Sequence, residues 1–178
     1  MCIRDSQDTT SQFNGRIARI AKAYYQLGDF QQIETVVDAY GYPKMYRGLA
    51  REHLKALVQL NKTAALAIYF SKYQAQGIYD DKGKKTNTGF LYRAICNELL
   101  LVGNASLLKE YATQYQQWAS QRLPKDKRNL ALATFYQQDY PKAIIPLQEA
   151  IAVEKSARHR MELEGLLGVA YALSLIHI

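Results

Sequence analysis

Few side chains in this 178-residue sequence are of the types that carry out chemistry. Residues 83–86, Gly-Lys-Lys-Thr, contain the residue types of a phosphate-binding loop, in which backbone N–H groups and one lysine hold phosphate oxygens. The second lysine breaks the required spacing and no strand precedes the segment, so we interpret it as a solvated loop. His53 and His159 have no partner at the spacing of metal ligands. We therefore predict no catalytic residue, no cofactor and no metal site.

Cysteine and carboxylate side chains point to the same conclusion. Cys96 is the only cysteine beyond residue 6, which argues against a disulfide framework and a cysteine-rich metal site. Asp80 and Asp81 share one polar loop, and Glu162 and Glu164 point to different faces of a helix. None of these pairs has the arrangement of a general acid and a general base.

The two ends of the sequence are expected to have a different origin from the rest. Residues 1–6, Met-Cys-Ile-Arg-Asp-Ser, are encoded by ATG TGT ATA AGA GAC AG(C/T), and residues 173–178, Leu-Ser-Leu-Ile-His-Ile, by CTG TCT CTT ATA CAC ATC. These DNA strings are reverse complements and resemble the end of a transposase sequencing adapter. We expect residues 7–172 to be a bacterial-type, metagenomic fragment with translated adapter at both ends.

Composition predicts a folded, basic chain. Hydrophobic residues make up 48% of the sequence and the formal net charge is +7, which argues against disorder. No apolar run approaches the roughly 20 residues that span a bilayer. The basic excess is compatible with nucleic acid, anionic lipid or an acidic protein as partner.

Helical periodicity dominates the sequence. Apolar residues recur at intervals close to 3.6 almost throughout, and proline and glycine are scarce, which predicts an all-α fold. The polar segment 77–89 lacks any period and is the one predicted loop. The predicted helices cover residues 15–27, 30–40, 45–60, 63–76, 90–102, 105–120, 125–137, 141–151 and 158–172.

Short breaks divide these helices into pairs. Gly28, Asn61, Gly103 and Gln138 each stand between two helices, and they are separated by 33, 42 and 35 residues. Glycine and asparagine tolerate the left-handed backbone that ends a helix. The longest separation contains the 77–89 loop. A period near 34 residues with a helix–turn–helix unit is typical of a stacked α-solenoid.

Three segments resemble the tetratricopeptide repeat. Residues 23–30, Ala-Tyr-Tyr-Gln-Leu-Gly-Asp-Phe, are similar to the end of its first helix and its turn. Residues 139–151 are similar to its second helix, and Leu167-Gly168 followed by Tyr171 is similar to its first. The resemblance implies a right-handed α-solenoid of antiparallel helix pairs, with about four full units and a truncated fifth in a single domain of residues 7–172. A non-repetitive helical bundle is the alternative.

The middle of the sequence departs from the tetratricopeptide pattern. Ile33 and Leu66 occupy positions where the repeat has small residues, and Leu57 and Leu99 replace its aromatic residue. Cys96 falls at the small position of the third unit, which implies a buried apolar side chain.

The resemblance also implies where a partner would bind, because the first helix of each tetratricopeptide unit lines a concave groove. The corresponding residues form pairs spaced i, i+4 on one helical face. They are Ala18 and Lys22, Arg51 and Lys55, Arg93 and Asn97, and Arg128 and Leu132.

This row is mostly cationic, and Tyr25 lies nearby. In the carboxylate-clamp variety of the repeat, a basic residue and two asparagines hold a carboxylate. Arg93, Asn97 and Asn129 match those places, whereas Glu162 and Leu166 stand where further basic residues are required. The resulting partner-binding hypothesis comprises Lys22, Tyr25, Arg51, Lys55, Arg93, Asn97, Arg128 and Asn129. Solvated surface charge is the plainer alternative.

We therefore predict a non-catalytic scaffold that binds a protein or peptide segment, with an acidic segment as the favoured partner. One alternative is a nucleic-acid-associated helical-repeat regulator that follows phosphates with Lys and Arg. Another is the repeat portion of a larger enzyme or signalling protein. A cytoplasmic location is expected, and the periplasm is the alternative because a signal peptide before residue 7 would not be visible.

Overall fold

The computed structural model describes residues 3–40, 45–80, 83–122 and 126–176, with side chains described between residues 12 and 175 of those ranges. The described residues form nine α-helices and one two-stranded β-ribbon. The helices are α1 (Ile3–Leu27), α2 (Phe30–Tyr40), α3 (Arg47–Gln59), α4 (Thr63–Gln76), α5 (Gly89–Leu101), α6 (Ala105–Ser120), α7 (Lys127–Tyr136), α8 (Tyr140–Val153) and α9 (Ala157–Ile176). The ribbon pairs β1 (Ile78–Tyr79) with β2 (Lys85–Thr86).

The four predicted breaks are confirmed as bends between helices. Each has a left-handed backbone, with φ of 75° at Gly28, 53° at Asn61, 72° at Gly103 and 62° at Gln138. At three of them the residue after the bend closes the helix with the same hydrogen bond, from its N–H to a carbonyl five residues earlier. These bonds are Asp29 to Tyr24 at 3.0 Å, Lys62 to Leu57 at 2.9 Å and Asn104 to Leu99 at 3.0 Å.

Contacts divide the chain into two compact units, Met1–Glu98 and Leu99–Ile178. In the first, α1 packs on α2 and α3, and α3 packs on α2 and α4. In the second, α7 packs on α6, α8 and α9, and α8 packs on α9. The all-α prediction is confirmed, and within each unit the helices pack sequentially, as in an α-solenoid.

Each unit has its own apolar core, made by the face of each helix that its neighbours cover. In the first unit, fully buried side chains include Ile33, Leu54, Leu57, Leu66 and Tyr73. In the second unit they include Leu108, Tyr115, Leu132, Leu147 and Leu163. A side chain of this size contributes about 1.5–3 kcal/mol when it leaves water.

The segment 77–89 was predicted to be an irregular loop, and that prediction is wrong at the ribbon. Ile78 pairs with Thr86 and is completely buried, and the Tyr79 N–H donates to the Met45 carbonyl at 3.1 Å. Gly77 enters the ribbon at φ 82°, where a Cβ atom would lie 2.3 Å from the Lys85 side chain. Strands of two residues are too short to show the alternation by which strands are recognised.

Residues 83–86, considered above as a phosphate-binding loop, include β2 of the ribbon. Gly83 lies before the second strand, and its N–H donates to the Asp80 carbonyl at 2.9 Å. The expectation that no strand precedes the segment is wrong, because β1 does. The segment itself forms β2, however, and does not run from a strand directly into a helix, as a phosphate-binding loop does. Residues 81 and 82 lie outside the described residues, so Asp81 is not placed.

Two glycines of the second unit should respond to alanine in opposite directions. Neither added Cβ atom would meet another atom within 4 Å, but Gly103 has a φ of 72° whereas Gly168 is helical. We expect Gly103→Ala to lower the free energy of unfolding by about 1 kcal/mol, because alanine is strained in the left-handed region. Gly168→Ala should raise it by about 0.5–1 kcal/mol. Urea unfolding followed by circular dichroism measures both, and equal effects would contradict the assignment of the bend.

Candidate functional site

A buried carboxylate, Glu98 of α5, joins this helix to side chains of α1 and α3 in the first unit. Its side chain is 1% exposed. The Tyr25 hydroxyl of α1 and the Gln59 amide of α3 both donate to Glu98 Oε1. Its second oxygen, Oε2, has no hydrogen-bond partner and lies 3.8 Å from Lys55 Nζ. One side chain of α5 therefore fixes the positions of side chains on α1 and α3.

A second buried carboxylate, Glu52, holds two cations of α3, Arg51 and Lys55. Its side chain is 3% exposed, and it lies 2.6 Å from Arg51 Nη2 and 3.2 Å from Lys55 Nζ. Lys55 Nζ also stands 3.3 Å from the centre of the Tyr25 ring, in the position of a cation–π contact. We call this set the Glu98 network. It consists of Tyr25, Arg51, Glu52, Lys55, Gln59 and Glu98.

The Glu98 network has no excess charge, because two cations face two carboxylates. Glu98 is the most buried member, and Lys55 is the cation that lies nearest to it, so removal of Lys55 would leave a buried charge uncompensated and would be destabilising. Burial, and then the hydrogen bond to Glu98, raise the pKa of the Tyr25 hydroxyl well above its usual range. Tyr25 therefore remains a proton donor to Glu98 and is not a candidate general base.

The predicted residues of the second unit are held by different partners. Arg128 forms an ion pair with Glu162 of α9. Asp126 caps α7 by accepting from the Asn129 N–H, and both of its oxygens lie 2.7 Å from Asn129 Nδ2. Asn129 Oδ1 accepts from the Tyr115 hydroxyl. The side-chain amide of Asn129 is thus used within the fold.

An open cleft of about 400 Å³ lies beside these two residues. Its walls are the first turn of α7 and the end of α8, and both positive and negative side chains line it. Lys127, at its edge, pairs with Glu149 at 3.2 Å. The lining residues are Asp126, Lys127, Arg128, Asn129, Ala150, Val153, Glu154 and Lys155.

The structure brings together only part of the predicted partner-binding set. Tyr25, Arg51 and Lys55 meet in the Glu98 network, and Lys22 is exposed on α1. On α5, Arg93 is half-buried and Asn97 is exposed, and both have interactions within the structure.

Of two further groove positions, Ala18 is half-buried and Leu132 is completely buried. A Cβ atom on Gly48 would lie 2.6 Å from the Ala18 side chain, so α1 and α3 approach closely there. Leu132 is completely buried and is part of the core of the second unit. The groove prediction is wrong at Leu132.

Sequence reasoning missed Glu52, Gln59 and Glu98. A signal for Glu98 was present, because it is the only acidic residue in the apolar helix Gly89–Leu101. A lone carboxylate on such a helix is expected to be paired if it is buried. Its partners are too distant in the chain to be inferred, since Tyr25 is 73 residues away.

His53 and Cys96, both in the first unit, are buried. His53 is 1% exposed, its Nδ1 lies 2.6 Å from the Tyr73 hydroxyl, and the edge of the Tyr69 ring packs on it. Cys96 is completely buried, and burial raises the pKa of its thiol. Among the described residues, no group of three or more His, Cys, Asp or Glu side chains is arranged to hold a metal ion.

No helix within the described ranges is both long enough and apolar enough to cross a membrane. The comparisons found no matching protein-family model, no matching curated protein and no matching solved structure.

His53 should make the folded state less stable as pH falls. Burial lowers the pKa of His53 to about 4 from an ordinary 6.5, although Glu34 and Asp38 act in the opposite direction. The unfolded chain therefore takes up a proton first, and stability is lost as pH falls through 6.5 towards 4. Relative to His53→Gln, the parent should lose about 2 kcal/mol of unfolding free energy between pH 7 and pH 4.5. The unfolding free energy of each protein is measured by urea titration at several pH values. If it fell equally with pH in the parent and in His53→Gln, the buried neutral imidazole would be contradicted.

Cys96 should resist thiol reagents until the first unit opens, because it is buried and protonated. In a Cys2→Ser background, the native protein should not react with Ellman's reagent within minutes. In guanidinium chloride, one equivalent of the reagent's coloured thiolate should be released per protein chain. Rapid stoichiometric reaction of the native protein would show that the thiol is accessible.

Proposed function

We propose that this chain is a tetratricopeptide-like, non-catalytic scaffold that holds a segment of another protein against the face formed by α1, α3 and α5. Support comes from the regular spacing of the bends and from the hydrogen bond that three of them share. The first helices of successive pairs also pack on one another, α1 on α3 and α7 on α9. We further propose the right-handed arrangement of about four units and a partial fifth that the repeat implies.

The Glu98 network is the observation that carries this proposal. It fixes side chains of three successive first helices on one face, which is the preorganisation that lowers the cost of binding. The Arg51 side chain is 47% exposed, and Lys22 is exposed on the neighbouring helix α1. These groups offer hydrogen bonds to the carbonyls and side chains of an extended segment.

The partner is proposed to be acidic, but the attraction is smaller than the sequence suggests. Arg51 and Lys55 are already matched by Glu52 and Glu98, so a partner carboxylate gains mainly from Lys22 and from the exposed part of Arg51. Charges at the rim of a site change association rate and salt dependence more than affinity. The proposed contact is therefore weak and sensitive to salt.

A fluorescein-labelled peptide of alternating Glu and Ser tests the proposal by anisotropy. The double variant Lys22→Glu, Arg51→Gln should bind it about three- to tenfold more weakly than the parent at low salt. The difference should shrink at about 0.5 M salt, where screening is strong. Lys109→Glu, an exposed change on α6, is the matched control and should bind as the parent does.

Absence of binding by the parent, or equal binding by the double variant, would remove the proposal. A steeply salt-dependent mobility shift with random RNA, without peptide binding, would favour the nucleic-acid regulator instead.

A further inference from the structure

Helix α1 carries two apolar stripes, and only one of them is covered. The inner stripe includes Ile17 and Ala21, which are 7% and 0% exposed and face α2 and α3. The outer stripe contains Phe13, Ile20 and Leu27, which are 50%, 45% and 79% exposed. Large apolar side chains grouped on one exposed helical face are unusual on a soluble domain.

The outer stripe has the spacing of a helix-docking surface. Phe13, Ile20 and Leu27 are seven residues apart, and Arg16 and Ala23 lie at the intermediate positions. All five are exposed. Alternating intervals of three and four residues place side chains along one seam, into which the side chains of a second helix pack. We call residues 13, 16, 20, 23 and 27 the α1 seam.

The charged residues of α1 in and beside the seam are all cationic. Arg16 lies in the seam, Arg19 lies beside it, and no Asp or Glu occurs between Asp8 and Asp29. Arg19 Nε donates to the Gly15 carbonyl at 3.2 Å, which lays this side chain along the helix surface. Residues 12–27 therefore present cations without an acidic neighbour in the sequence. A partner helix with acidic flanks would meet opposite charge along the whole seam.

We propose that the α1 seam binds an amphipathic helix of a partner protein, with apolar residues at heptad spacing and Glu or Asp beside them. Phe13, Ile20 and Leu27 supply the apolar contact, and Arg16 and Arg19 select the acidic flank. The exposed Tyr40 ring of α2 packs against the Phe13 ring in an edge-to-face arrangement, with the ring centres 5.9 Å apart, and extends the apolar surface. This surface is separate from the Glu98 network and does not depend on the function proposed for it.

Two designed peptides of about three heptads test this proposal, since a shorter helix is marginal in water. Both have leucine at positions a and d, and positions e and g are all Glu in one and all Lys in the other, so that each repels copies of itself. By fluorescence anisotropy, the parent protein should bind the acidic peptide at least tenfold more tightly than the basic one. Arg16→Glu, Arg19→Glu should reverse this preference.

Ile20→Glu removes the central apolar contact and should weaken binding of the acidic peptide at least tenfold. Its matched control is Ile68→Glu, which changes an isoleucine that is 66% exposed on α4 and should leave binding unchanged. Helix content by circular dichroism confirms that each variant is folded.

Every other result overturns the proposal. Equal binding of both peptides, no binding of either, or equal binding by Ile20→Glu would show that the seam does not select an acidic helix. Self-association of the parent in light scattering, lost in Ile20→Glu, would assign the seam to a second copy of the chain. Sedimentation with phosphatidylserine vesicles, without peptide selectivity, would assign it to a lipid surface.

Discussion

The fold depends on one backbone constraint, a left-handed residue that ends the first helix of each pair. At Gly28, Asn61, Gly103 and Gln138 the positive φ turns the chain back. At three of these bends the next helix packs against the one before it, α2 on α1, α4 on α3 and α8 on α7. A single hairpin of this kind cannot cover its own apolar face, and it is stabilised by the neighbouring helices. The bends therefore decide which side chains become core and which become surface.

The second organising feature is the pair of buried carboxylates, Glu52 and Glu98. They lie where α1, α3 and α5 meet, so the face formed by these helices is polar and fixed in position without excess charge. A different part of the first unit, the outer face of α1, carries Arg16 and Arg19, which have no acidic neighbour nearby in the sequence. Two faces of the same helix thus present different chemistry, one hydrogen-bonding and one apolar and cationic.

Much of this fold could be predicted from the sequence, because local rules govern the parts that were correct. Gly28, Asn61 and Gly103 are residue types that adopt positive φ readily, and 3.6-residue periodicity marks the helices between them. The ribbon at Ile78 was not predicted, because strands of two residues are too short to show an alternation of apolar and polar side chains. The Glu98 network was not predicted, because its hydrogen bonds join residues 39 and 73 positions apart in the chain. Contacts between such distant residues cannot be recognised from a single sequence. Consequently, Arg51 and Lys55 were predicted as groove cations without the carboxylates that balance them.

Hydrogen exchange at the bends tests the central claim most directly. In the folded protein the amide protons of Asp29, Lys62 and Asn104 are each bonded to a carbonyl five residues earlier. They should exchange as slowly as amides in the last turn of the helices they close, although they lie outside those helices. These three amides could instead exchange at the rate of an unstructured chain while the flanking helices stay protected. That result would show that the hydrogen bonds closing the bends are not formed.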